Sequence, residues 1–123
     1  MSKAIRYCKL EEEHIGGNCF DVSRPNIFWN PYTHIRNKHT KAQVVVKSRE
    51  EAIRLYGLYF DKMLLKDEVF KNEWDRMFEA YMSNDEIYIG CYCRLDEDCH
   101  ADTIINKLRQ RAIKEEMANI IHR

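Results

Sequence analysis

Near the C-terminal end of the chain, the stretch from Asp85 to Cys93 is an apolar run that feeds the thiols Cys91 and Cys93, a short acidic loop follows, and Cys99-His100-Ala101-Asp102 opens a helical pattern. Thiolates and imidazoles bind soft metals, thiolates attack electrophiles, and imidazole and carboxylate groups move protons. Three chemistries fit the stretch. In the first, backbone N–H groups at the helix start take an anion such as phosphate, and Arg24 clamps it. In the second, Cys99 or Cys91 is a nucleophile, or His100 and Asp102 act as acid and base. In the third, Cys91, Cys93, Cys99 and His100 form a tetrahedral zinc set, although the first pair lacks the usual two-residue gap and the second pair is adjacent.

Each of these residues also has an ordinary structural explanation. Free cysteine is among the most buried residue types, and for Cys91 on a core strand burial is the best single reading. His100 reads as a helix-start histidine bonded to backbone, and Asp102 as a plain N-cap. Four reactive or polar types within twelve positions nevertheless favour a site.

The elements that must position these residues follow from periodicity. Ile5–Leu10 and Cys19–Val22 read as short strands, and Ala42–Lys47 as a third. Glu11–Asn18 carries turn chemistry. Residues Ser23–Tyr32 hold Pro25, Pro31, Asn26, Asn30, Phe28, Trp29 and Tyr32, which makes a proline-ordered aromatic loop rather than a helix. That loop is either a ligand wall or a segment packing its rings on the core. The basic connection Thr33–Lys41 reads as a solvated loop, with phosphate binding the minority alternative.

Ser48-Arg49-Glu50-Glu51 is a capping box, so a helix follows with Ala52, Tyr56, Tyr59 or Phe60, and Met63 on one face. Near Asp67 another helix begins, with the stripe Phe70, Trp74, Met77 and Tyr81. A strand over Glu86–Tyr92 places Cys91 and Cys93 on one face. The last helix spans about Ala101 to Ile121, with Ile105, Leu108, Ala112, Met117 and Ile120 on its apolar side.

The chain has 123 residues, of which 20 are basic and 20 acidic, so charge balance gives no global grip on nucleic acid. No apolar run is long enough to cross a bilayer, and the Met1–Arg6 segment lacks the apolar block of a secretion signal. Five cysteines, two of them separated by one residue, fit reduced thiols in a cytoplasmic protein better than a disulfide framework.

Two motifs resemble a small bacterial and phage family, the domain-of-unknown-function family 4326. One is Cys91-Tyr92-Cys93 followed by Cys99-His100-Ala101-Asp102. The other is Ser23-Arg24-Pro25-Asn26 followed by Trp29-Asn30-Pro31-Tyr32, and Arg49–Tyr56 is similar to the family's middle helix. The resemblance runs from about Cys19 to Leu108. Ser23, Trp29 and Ala101 stand where the family pattern has glycine, which implies a changed ligand or a narrower pocket. Arg24, Asn30, His100 and Asp102 keep the pattern. The resemblance implies an α/β fold, one site joining the two motifs, and a phage or host-defence context, without an activity.

The expectation is therefore a single domain over residues 1–123 with a small Rossmann-like α/β fold of two or three layers and few strands. The function expected is binding, and processing if a reaction occurs, of a nucleotide-derived or phosphate-bearing small ligand. Arg24 and the last helix's N-terminus hold the anion, Asn30 reads polar edges, and Trp29 or Tyr32 stacks on a ring. Cys91 and Cys93 line the pocket, while His100, Asp102 and Cys99 carry any chemistry. No metal or other cofactor is assigned. The alternatives are a zinc-binding adaptor using Cys91, Cys93, Cys99 and His100, and a non-catalytic phage inhibitor of a host protein with an exposed apolar patch around Phe28 and Trp29.

Overall fold

A computed structural model describes residues 3–9, 18–23, 26–33, 44–93 and 96–121. Its elements are β1 (Lys3–Cys8), β2 (Cys19–Asp21), β3 (Tyr32–Thr33), β4 (Val44–Val45), α1 (Arg49–Lys66), α2 (Glu68–Ser83), β5 (Glu86–Cys91) and α3 (His100–Ile121). The expected α/β class is borne out. The strands form two small parallel sheets, one ordered β1-β5-β2 and the other β3-β4.

β5 is the central strand of the larger sheet, as its apolar content predicts. Cys8 pairs with Cys91, Arg6 with Ile89, and Phe20 with Ile89 on the other side. Alternation along each strand puts Ala4, Arg6 and Cys8 on the same face as Ile87, Ile89, Cys91 and Phe20. That face is covered by helices, with α3 against β1 and β5, and α2 against β5. Ile87, Ile89, Ile104 and Leu108 are fully buried there.

Capping residues set the helix boundaries. Ser48 accepts a hydrogen bond from the Glu51 N–H at 3.1 Å, as the capping box requires. Asp67 serves two helices: its N–H donates to Met63 O at 2.9 Å, closing α1, and its carboxylate accepts from the Phe70 N–H at 3.0 Å, opening α2. The α2 stripe is buried throughout, and Phe28 joins it. The Phe28 ring lies edge-on to Phe70, with centroids 4.9 Å apart, and stacks on Phe60 at 5.8 Å. Edge-to-face pairs of this kind add about 0.5–1.5 kcal/mol beyond area burial.

Several expectations are corrected. Phe28 is core, not part of an exposed patch, because the turn from Asn26 to Trp29 aims it inward. β1 starts at Lys3, two residues before the expected strand, because its register continues to Glu86. Tyr32–Thr33 pairs with Val44–Val45, a contact that local pattern does not reveal. Met117 and Ile120 are exposed. At 1.5 Å per residue α3 runs about 33 Å, and it outlasts the layer it packs on. The turn expected over Glu11–Asn18 lies outside the described residues up to Gly17, as do His34–Lys41, Arg24 and Pro25. No helix of the described residues is long and apolar enough to cross a membrane.

Candidate metal centre

Three of the five cysteines converge where β5 hands over to α3. Cys91 is the last residue of β5, facing the helices. Cys93 sits in the bend beyond it, so it is the turn and not strand alternation that brings it back beside Cys91. Cys99 precedes α3 directly. The sulfur atoms of Cys91, Cys93 and Cys99 all lie within 4.8 Å of one another, and Cys99 approaches Cys91 at 3.3 Å. Thiolates bound at about 2.3 Å to a tetrahedral ion stand about 3.8 Å apart, so this spacing suits a single ion. All five cysteines are free thiols.

His100 opens α3 from a buried position. Its Nε2 donates to the carbonyl of Val22 at 2.8 Å, which fixes the proton on Nε2 and leaves Nδ1 as the lone-pair nitrogen. Nδ1 lies 3.6 Å from the Cys99 sulfur. The Tyr56 ring meets the imidazole edge-on at 4.9 Å and donates its hydroxyl to Phe28 O at 2.7 Å. His100 and Tyr56 thus tie the thiol cluster to Val22 and Phe28, which flank the Ser23–Asn26 stretch.

Two guanidinium groups surround the cluster. Arg49, the first residue of α1, points Nη1 at Cys93 Sγ from 3.6 Å and donates to Asp98 O at 3.1 Å, while its Nη2 pairs with Glu97 at 2.8 Å. Arg6 comes from the helix-facing side of β1, and its side chain is 9% exposed. It pairs with Asp102 at 2.6 Å and donates to Glu97 O at 2.6 Å. Between them these arginines pin the 96–98 loop that carries the chain from Cys93 to Cys99.

The thiols titrate as a group. Hydrogen bonds from Cys91 and Cys99 pull the Cys93 thiol far down, and Arg49 adds to this against the cost of burial. The hydrogen bond with Cys93 pushes Cys91 up, and those with Cys91 and Cys93, together with burial, push Cys99 up. At the helix start, the Ala101 N–H points at Cys99 Sγ from 3.5 Å and the Asp102 N–H donates to Cys99 O at 3.0 Å. A thiolate at Cys99 would face the positive end of the α3 dipole.

The other sequence-predicted residues are placed differently. Cys99, not Asp102, takes the cap position of α3, because the Asp102 carboxylate is drawn to the buried Arg6. The Asn30 side chain donates to Ala52 O at 3.3 Å and accepts from the Tyr32 N–H at 2.9 Å, holding the aromatic loop on α1. Tyr32 packs edge-on against Tyr59 at 6.3 Å, and Trp29 is half-buried.

Arg6 and Arg49 are the site residues that sequence reasoning missed. Both left a signal. Arg6 puts a charge into the inward-facing alternation that Ala4 and Cys8 share with it. Arg49 is a cation in the first turn of a helix, where the dipole disfavours it.

A family model described as a domain of unknown function (DUF4326) matches residues 7–110. The chain belongs to that family. No curated protein and no solved structure matches the chain.

Proposed function

We propose that this member of a family without an assigned activity is a metal-binding module. It holds one soft divalent ion, zinc foremost, on Cys91, Cys93 and Cys99, with Nδ1 of His100 as the fourth donor. The observation that carries the reading is the closure of three sulfur atoms to within 4.8 Å at the β5–α3 junction. Metal-bound imidazoles donate their other N–H to a carbonyl or carboxylate, and His100 already does so toward Val22. The Nδ1–Cys99 spacing of 3.6 Å is close to the about 3.5 Å between a nitrogen and a sulfur on one tetrahedral zinc. Arg6 and Arg49 supply positive charge beside a set of three thiolates, which carries one net negative charge around a divalent ion. A closed four-donor set belongs to structural zinc, so the ion's task is to lock the junction of β5, α3 and β2 and present a fixed surface, as an adaptor does.

A nucleotide-type ligand ranks second. Asn30 and Asp102, two of the groups it would use, already serve the fold through Ala52, Tyr32 and Arg6.

The test is elemental analysis of protein purified under reductant, together with titration of the metal-free chain with cobalt(II). One equivalent per chain is expected, with the strong visible bands of tetrahedral cobalt–thiolate bonding, and both lost in a Cys91→Ser/Cys99→Ser variant. Metal-free protein that takes up no cobalt at micromolar concentration overturns the reading.

A further inference from the structure

The three thiols are not equally placed. Cys91 and Cys99 are 1% and 2% exposed, whereas Cys93 is half-buried and lies in the bend outside the strand. A small polar reactant therefore meets Cys93 first. Once there it also meets Arg49, whose Nη1 stands 3.6 Å from that sulfur and can hold an anionic leaving group. Behind Cys93, within 4.8 Å, lie two further sulfurs. This is the arrangement that thiol oxidation requires: an accessible sulfur, a cation beside it and a resolving thiol in reach.

We propose that Cys93 is a site of oxidative modification by hydroperoxides, resolved by Cys99, and that the modification empties the metal site. The second half rests on the metal-binding reading above, while the first half does not. The Cys93 thiolate attacks one oxygen of ROOH. An S–O bond forms, the O–O bond breaks, and RO⁻ leaves and takes a proton from water. Cys93 is then a sulfenic acid. The Cys99 thiol attacks the Cys93 sulfur, an S–S bond forms, the S–O bond breaks, and the leaving hydroxide takes the thiol's proton and departs as water. Two electrons pass from the two cysteine sulfurs to one hydroperoxide, whose oxygens end as ROH and water.

Cys99 is the resolving residue because Cys91 is separated from Cys93 by a single residue, so a disulfide between those two would close a small strained ring. With Cys93 and Cys99 joined, a bound ion keeps only Cys91 and His100 and dissociates. A thiol reductant reverses the change.

The experiment treats the reduced full-length chain, once zinc-loaded and once metal-free, with sub-stoichiometric hydrogen peroxide. Dimedone traps sulfenic acid, peptide mass spectrometry reads the site and the disulfide, and a chromophoric chelator reads released zinc. The expected result is the first dimedone adduct on Cys93, a Cys93–Cys99 disulfide when dimedone is omitted, and zinc release in step with it. Cys93→Ser should slow thiol loss about tenfold, while Cys19→Ser, at the other half-buried cysteine, should leave it unchanged.

First labelling on Cys19 or Cys8, or a disulfide lacking Cys93, overturns the proposal. The wild-type labelling pattern decides this even if Cys93→Ser folds poorly. A chain that takes up no zinc overturns the metal reading and leaves the metal-free arm to decide the oxidation. A zinc-loaded chain that forms the disulfide yet keeps its zinc overturns the coupling.

Discussion

His100 donates a hydrogen bond to the carbonyl of Val22, so the first residue of α3 is fastened to the end of β2 across 78 residues of chain. That one bond selects the tautomer, turns Nδ1 toward the Cys99 sulfur and satisfies a buried carbonyl. Replacing His100 by alanine removes all three effects. The carbonyl is left without its donor, which should cost about 1–3 kcal/mol in urea unfolding of the metal-free protein. Replacement by cysteine separates the two roles. His100→Cys should keep cobalt binding, with bands shifted toward a four-thiolate spectrum, while losing the same stability. Equal stability of wild type and His100→Ala would mean that the bond to Val22 contributes nothing.

Arg49 should matter to the metal more than to the fold. Its pair with Glu97 is about a third exposed on both sides, and such pairs contribute about 0–1 kcal/mol. The same guanidinium also holds Asp98 O and faces Cys93, so it anchors the approach to Cys99 beside the thiol cluster. Arg49→Gln is expected to weaken zinc affinity about 10–100-fold in competition with a chromophoric chelator, as loss of outer-shell partners does elsewhere. Arg49→Lys should not restore it, because an ammonium cannot fork across these three acceptors. A lysine variant with wild-type affinity would show that charge alone is needed.

Gly90 is required by a neighbour. A Cβ built there would lie 2.5 Å from Cζ of Tyr7, whose ring crosses the central strand so that its hydroxyl meets Cys19 Sγ at 2.5 Å. Alanine at Gly90 would force the ring away and break that contact. Gly90→Ala should destabilise by about 1–3 kcal/mol, the range for overpacking. In a Tyr7→Ala background the penalty should shrink toward zero, and a double-mutant cycle of urea midpoints measures the coupling. An unchanged penalty would place the strain elsewhere.

Much of this arrangement was legible because it is periodic or local. The stripe Phe70, Trp74, Met77 and Tyr81 repeats at helical spacing, Ser48 caps the helix it precedes, and the apolar run before Cys91 is the central strand. The grouping of three thiols was visible because Cys91, Cys93 and Cys99 lie within nine positions. What could not be read was partner choice over long separations. Arg6 meets Asp102 at a distance of 96 residues in sequence, and no local pattern says that this carboxylate will neutralise a buried guanidinium rather than cap its own helix. The pairing of Tyr32–Thr33 with Val44–Val45 is likewise a long-range event between segments too short to show alternation. The sequence offers Asn30 as a polar group in an aromatic loop, and only the fold reveals that its amide bonds the backbone of Ala52 and Tyr32.

Asp21 should make stability depend on acid pH. Burial pushes its carboxyl up, but hydrogen bonds from the Lys9 ammonium and from the Ser23 hydroxyl and N–H outweigh burial and hold it below the ordinary 3.8. The native state therefore binds its proton less readily than the unfolded chain. The contribution is fully present above the unfolded value and is lost as pH falls through the native one, so the window lies at and below about pH 4. Half-exposure keeps the effect small. The urea midpoint of wild type should exceed that of Asp21→Asn near neutral pH, and the two should converge toward pH 2–3. A gap that persists at the lowest pH would assign the difference to lost hydrogen bonding rather than to titration.

Metal removal should have the largest effect. A ligand that binds only the native state stabilises it by RT ln(1 + [L]/Kd), about 2.7 kcal/mol at a free concentration of a hundred times Kd. For a domain of this size that corresponds to a rise in Tm of about 10 °C or more. Thermal unfolding under reductant, with buffered zinc and with excess chelator, should show that difference. It should vanish in Cys93→Ser, which retains the buried Cys91 and Cys99 but not the third sulfur. The increment should also shrink as pH is lowered at constant free zinc, because protons compete with the metal for three thiolates and an imidazole. Superimposable melting curves with zinc and with chelator would remove the metal from the account of stability. The fold would then rest on its packed core, with the aromatic cluster of Phe28, Phe60, Phe70 and Trp74 and the buried Ile87, Ile89, Ile104 and Leu108.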